Sequence, residues 1–263
     1  MRSPAAFRAM LLILGLVFAF LYVPISVLVA LSFNDGGLPT AWTGFSVRWY
    51  GELFGNQDIL RAAGNTLVVA LVSTFAATLL GTLLALGVEL RRRKGWALEA
   101  LIFAPMIIPD IVLAIALLSF FSLLEVTLGL HTIAMSHVVF NLAFVCSVVR
   151  ARLKTFDWSI VEASADLGAS GITTFRRVIL PVLAPAVVAG ALLAFTLSVD
   201  EFIIAFFTAG AGRSSITLPM QIYSMIRFGV TPEINALATL VLAFSVIALA
   251  LSQSIGKGSV IRA

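Results

Sequence analysis

The sequence predicts an all-α membrane protein, with six membrane-spanning helices and both termini in the cytosol. Three observations carry that expectation. Of 263 residues, 60% are hydrophobic and 11% charged, and mean hydropathy is +1.08, more apolar than a soluble domain with a polar surface allows. A bilayer core takes about 20 residues of apolar helix, and runs of that order lie near 10–33, 65–90, 97–124, 131–150, 183–208 and 234–255. With both termini inside, 13 of the 17 lysines and arginines fall in the cytosol, leaving only Arg48, Arg61, Arg213 and Arg227 outside. Basic residues gathered at the ends of apolar runs orient helices in a membrane; they do not form the stripe that a nucleic acid requires.

The first run follows Arg2 and Arg8 and is too long for the apolar part of a secretory signal, so it reads as a retained span. The outer segment 34–64 opens with Asn34-Asp35-Gly36-Gly37 and carries Trp42, Trp49 and Tyr50, which suit a short helix at the headgroup level. The third run holds Pro105 and Pro109, which free backbone carbonyls and permit a kink. The single cysteine, Cys146, sits in an apolar run, excludes an intramolecular disulfide and reads as a small buried hydrophobe. A second outer segment, 209–233, contains Gly210, Gly212, Pro219 and Pro232 around an amphipathic stretch from Tyr223 to Phe228, the pattern of a re-entrant or interfacial helix. No repeat or low-complexity linker divides the chain, so residues 1–263 read as one membrane domain with a cytosolic loop at about 151–182.

That loop is a polar island. Asp157 or Ser159 can cap a short helix ending at Leu167, Gly168 supplies a left-handed position, and Ser170 can cap a second helix stopped by Pro181. Ile160, Val161, Leu167, Ile172 and Phe175 are apolar residues in a segment bathed by cytosol, which marks a surface for a partner unless they tuck under the bundle. Glu162 and Asp166 stand one turn apart without a nearby His or Cys, so capping and pairing roles outweigh metal binding.

Charged groups within spans are expensive and tend to be functional, at about 2.5–3.5 kcal/mol each on insertion scales. Asp110 should lie about 20 Å along the third helix, and Asp200 and Glu201 about 25 Å along the fifth, at 1.5 Å per residue. Adjacent helical residues differ by about 100°, so one of the latter two can line a path while the other pairs elsewhere. Thr196 and Ser198 are alternative partners for these acids. His131, His137 and Asn141 form no recognisable catalytic set. Gly256-Lys257-Gly258-Ser259 lacks the glycine spacing and the Ser or Thr of a phosphate-binding loop, so any ATPase must be another chain.

Glu162-Ala163-Ser164, then Gly168, Val178 and Leu180-Pro181, resemble the E-A-A-x3-G-x9-I-x-L-P loop of ABC importer permeases, with Ser164 and Val178 as departures. The resemblance implies the type I ABC importer permease fold and a coupling helix docked on an ATPase, a role falling to Glu162, Ala163, Ser164, Asp166, Leu167, Gly168, Ala169 and Ser170. It implies a second homologous permease, a dimer of ATP-binding subunits that use ATP and Mg, and a periplasmic or extracellular substrate-binding protein. This chain would bind no cofactor or metal itself and would sit, multi-pass, in a bacterial inner membrane.

Leu197-Ser198-Val199-Asp200-Glu201-Phe202-Ile203-Ile204, Ser224-Met225-Ile226-Arg227 and Gly229-Val230-Thr231-Pro232-Glu233-Ile234-Asn235-Ala236 resemble the second permease of spermidine/putrescine importers. That likeness implies a polyamine cargo met by Asp200 and Glu201, then Asp110, with Tyr223 adding a cation–π contact. The same architecture serves other solutes, among them opines, phosphonates and ferric iron. An intramembrane enzyme built on Asp110, Asp200 and His137 would leave the cytosolic loop unexplained, and a secondary carrier would call for repeated halves.

Overall fold

The computed structural model describes residues 4–37, 41–90, 96–227, 229, 231–244 and 246. The basic cluster Arg91 to Lys94, Arg2, Phe228 and the chain beyond 246, including the rest of the expected sixth span and the Gly256–Ser259 string, lie outside the described residues.

Helices dominate. They are α1 (Pro4–Leu31), α2 (Arg48–Gly55), α3 (Gln57–Leu90), α4 (Trp96–Ile107), α5 (Asp110–Leu123), α6 (Leu130–Leu153), α7 (Ser159–Asp166), α8 (Gly171–Thr174), α9 (Leu180–Asp200), α10 (Ile203–Thr208) and α11 (Leu218–Arg227). A further helix, α12, covers Pro232–Phe244. Four stretches are long and apolar enough to cross a membrane: Met10–Leu31, Gln57–Leu90, Leu130–Leu153 and Gly171–Asp200. A fifth candidate is the pair Glu99–Ile107 and Asp110–Leu123, whose axes differ by 112°.

The chain divides into two compact units, Met1–Leu60 with Ile222–Ala263, and Arg61–Gln221. In the first, α1 is apolar around its circumference and exposed up to its last turn, where Leu28, Val29 and Leu31 are partly buried. The segment after it is folded by Asn34, whose side chain donates to Ala41 O (2.7 Å) and accepts from Thr43 N–H (2.8 Å). Trp49 donates its indole N–H to Asn34 O (2.7 Å), and Tyr50 bonds Ser32 (2.7 Å). The expected interfacial helix is α2, and Trp42 stays exposed. Asn56 ends it and begins the next helix by accepting from Asp58 N–H (3.1 Å) and Ile59 N–H (3.3 Å). This cap explains why α3 starts at residue 57, before the apolar run begins. Asn56 also donates to Glu233 (3.1 Å).

In the second unit α6 packs against α9 and α4, and α10 against α5 and α6. Close approach comes from glycine. A Cβ at Gly81 of α3 would meet Val145 at 2.9 Å, and one at Gly190 of α9 would meet the same valine at 3.4 Å. Small residues of this kind are how membrane helices gain contact without a hydrophobic driving force between them. Cys146, buried beside Val145, fits the expectation of a small packed group.

Two expected helix boundaries are corrected. The third apolar run is two helices, because Pro109 has no amide hydrogen to extend the ladder and disfavours helical geometry at Ile108. Its own carbonyl instead accepts from Val112 N–H (2.9 Å) and Leu113 N–H (3.2 Å), starting α5 in a new direction. Conversely, Pro181 does not stop the helix begun at Gly171. Phe175–Ile179 form a π-helical turn in which Leu180 N–H reaches back to Phe175 O, and the helix continues through Pro181 to Asp200. The wider turn absorbs the register change that a missing proline donor forces.

Candidate functional site

The loop between α6 and α9 is built from caps. Neither Asp157 nor Ser159 is the N-cap residue of α7; Trp158 is, in a helical conformation. Asp157 acts one step earlier, accepting Ser159 N–H at 3.0 Å in an Asx-type turn. The Ser159 hydroxyl and amide hold the Asp157 carboxyl below the ordinary aspartate range. At the other end Gly168 is left-handed at φ +79°, Gly168 N–H bonds Ala165 O (2.8 Å) and Ala169 N–H bonds Ser164 O (3.1 Å). These two bonds complete a Schellman ending. Ser170 then caps α8 by accepting Thr173 N–H (3.3 Å). Ser164 adds a cross-brace, its hydroxyl bonding that of Thr174 at 2.9 Å.

The five apolar residues of this loop divide. Val161 and Phe175, with Trp158, pack on the cluster formed by Ala85, Leu86, Ile102, Val149, Leu153 and Ile179. Leu167 and Ile172 point away, 89% and 74% exposed, and Ile160 is also exposed. Glu162, Ala163 and Asp166 lie on the open surface as well, and α7 buries no residue completely. The loop is thus a braced platform, fixed to the bundle on one side and carrying polar and apolar groups on the other.

The second cluster is acidic. Asp110 opens α5. Asp200 closes α9 and is exposed, while Glu201 has extended backbone and ends the helix, so the two are not successive positions on one helix face. Glu201 accepts Ile204 N–H at 2.8 Å and thereby starts α10. α10 and α5 pack through Ile204, Leu113 and Ala114, together with Leu117, Ile203 and Phe207. That packing brings the first turns of both helices together, and the charges of Asp110 and Glu201 are close enough to repel. Among the described residues none of Asp110, Asp200 and Glu201 has a basic ion-pair partner. Thr196 and Ser198 do not serve them: Thr196 bonds Leu192 O (2.9 Å), and Ser198 bonds Ser73 (3.0 Å) and His137 Nδ1 (2.7 Å). The chain therefore concentrates negative charge where two helices break, and a cation is the natural complement. Tyr223 lies on α11 and is half exposed. No group of three or more His, Cys, Asp or Glu suited to a metal occurs among the described residues.

Two features escaped sequence reading. His137, Ser198 and Ser73 form a buried chain of hydrogen bonds joining α6, α9 and α3. Arg150, which orientation arguments treat as one more cytosolic cation, is buried: its Nη2 donates to Glu99 Oε1 at 2.9 Å, and its Nε lies 3.9 Å from Glu89 Oε2. The partners are distant in sequence, so no local pattern could have named them.

Comparison with known proteins gives the following. Residues 77–257 match the family model described as binding-protein-dependent transport system inner membrane component. The chain is 43% identical over 242 residues to the spermidine/putrescine transport system permease protein PotC of Escherichia coli (strain K12), covering 92% of this chain and 91% of that protein. It is 43% identical over 251 residues to the putrescine transport system permease protein PotI of the same organism, covering 92% and 86%. A bacterial ABC transporter involved in import of the acidic polysaccharide alginate has a similarly folded chain, with a TM-score of 0.78, 14% identity, and coverage of 97% of this chain and 98% of that one.

Proposed function

The chain belongs to the family of binding-protein-dependent transport system inner membrane components, and we propose that it is a permease subunit of an ATP-driven importer of polyamines of the spermidine/putrescine class. The observation that carries this reading is 43% identity over 92% of the chain to two permeases named for those solutes. The acidic break supports it chemically. A polyamine presents ammonium groups along a flexible chain, and Asp110 and Glu201, with Asp200 beside them, offer carboxylates that have no basic ion-pair partner among the described residues. Attraction of this kind must stay weak enough for release, which a shared, partly exposed acidic site favours over a closed cage.

In this reading the bent pair α4–α5 is one span and α12 begins another, giving six spans with both termini in the cytosol of a bacterial inner membrane. A second homologous permease completes the pathway, and a binding protein delivers substrate to the outer segments. ATP hydrolysis with Mg belongs to a dimer of separate subunits, and this chain holds no cofactor. Glu162, Ala163, Ser164, Asp166, Leu167, Gly168, Ala169 and Ser170 form the surface that those subunits grip. The braced turn at Gly168 suits the task, because a push on a rigid platform moves the helices fused to it instead of deforming the loop.

The test is uptake of labelled spermidine and putrescine into proteoliposomes containing this chain with its companion permease, ATPases and binding protein. ATP-dependent accumulation of either amine, with sulfate excluded, is the expected result. Accumulation of an unrelated solute, or none of the amines, overturns the assignment.

A further inference from the structure

The cytosolic loop is fused to only two of the long helices, α6 before it and α9 after it. α3 and α4 follow its movement only through side-chain contact. Part of that contact is apolar: Leu86 and Val88 of α3 and Ile102 of α4 share a cluster with Leu153 and Phe156. Apolar contact is non-directional and permits sliding. For α3 a directional tie exists elsewhere, in the buried Ser73–Ser198–His137 hydrogen bonds to α9 and α6; for α4 the directional tie is Arg150. Its side chain is 8% exposed, it donates to Glu99 of α4 at 2.9 Å, it lies 3.9 Å from Glu89 of α3, and its guanidinium sits 5.6 Å from the ring centroid of Phe103.

Taking the polyamine importer reading as premise, we propose that Arg150 is a positioning residue that transmits movement of the cytosolic loop to α4, and through α4 to the acidic break at Asp110. The route is short. Backbone bonds from Lys154 to Arg150, Thr155 to Arg152 and Phe156 to Leu153 carry α6 stiffly to the loop, and α7 begins at Ser159. Displacement of the inner end of α6 carries the guanidinium with it. The charge-assisted bond from Nη2 is directional and little exposed to water, so Glu99 follows. Glu99 rides on α4, α4 ends at Ile107, and Asp110 is the first residue beyond the bend. The loop thereby acts on the acidic break without touching it.

The experiment compares Arg150→Met, Arg150→Lys and Glu99→Gln in the complete reconstituted complex, measuring amine imported and ATP hydrolysed together. Arg150→Met is expected to raise ATP hydrolysed per amine imported about tenfold, with Arg150→Lys intermediate. Glu99→Gln, at a partly exposed position that threatens folding least, is expected to raise the same ratio about threefold with assembly intact. A ratio unchanged in Glu99→Gln, or import and hydrolysis falling in step in every variant that assembles, overturns the proposal. If Arg150→Met fails to assemble, Arg150→Lys and Glu99→Gln decide. Failure of the underlying assignment is distinct, since it shows as absent amine uptake in the unaltered complex.

Discussion

The loop between α6 and α9 and the acidic break both interrupt the helical ladder, and they treat the interruption in opposite ways. In the loop nearly every displaced amide finds an oxygen: Ser159 on Asp157, Gly168 on Ala165, Ala169 on Ser164, Thr173 on Ser170, and Leu180 on Phe175. At the acidic break the Glu201 carboxylate accepts the amide of Ile204, and the charges of Asp110 and Glu201 stand near each other without a basic neighbour among the described residues. A segment with its hydrogen bonds closed internally is suited to transmit force. A segment with surplus charge is suited to await a ligand.

The largest expected effect breaks the acidic side of this contrast. Asp110→Asn with Glu201→Gln removes both charges but leaves an amide oxygen able to accept from Ile204. It should raise the amine concentration for half-maximal uptake by about 100-fold, as expected when charged contacts to substrate become neutral. Unchanged saturation curves would remove these residues from the pathway. On the loop side, no atom lies within 4 Å of a Cβ at Gly168, so Gly168→Val tests backbone geometry alone. With a left-handed penalty of about 1–2 kcal/mol, binding-protein stimulation of ATP hydrolysis should drop about tenfold. Stimulation equal to that of the parent would mean that the left-handed turn is dispensable.

Smaller effects sharpen the contrast. Leu167→Ser and Ile172→Ser should each weaken ATPase association about fivefold while leaving the permease melting temperature unchanged, because both side chains already face away from the bundle. A lowered melting temperature would instead mark them as part of the core. The smallest effect concerns Asp157, whose carboxyl is held below the ordinary range by Ser159. Its contribution is fully present above the ordinary value of about pH 4 and is lost only as pH falls through the lower folded value. Hydrogen exchange at the Ser159 amide, corrected for intrinsic rate, should therefore show constant protection from about pH 5 to about pH 8.

Apolar run length made the membrane helices legible, since it is a property of the chain alone. The glycine ending at Gly168 and the cap at Ser170 were equally readable, because each depends on neighbours within a few positions. Prolines were harder. Pro109 and Pro181 carry the same local signal, yet one redirects the chain and the other is absorbed by a π-helical turn, and what surrounds them makes the difference. The acids were found by their cost in a membrane, but the meeting of Asp110 with Glu201 depends on α5 packing against α10. Arg150 was misread as an orientation signal because Glu89 and Glu99 reach it only in three dimensions.

Val145, with which a methyl group at Gly81 would collide and one at Gly190 would just make contact, has a further consequence. A slide of α3 along α6 drives that pair into collision, so α3 and α6 are held by shape to move together, as one rotor. The bend between α4 and α5 and the step into α10 lie outside that rotor. Those are the places where the acidic residues stand, and a bulkier side chain at residue 81 should loosen the rotor without touching a single charge.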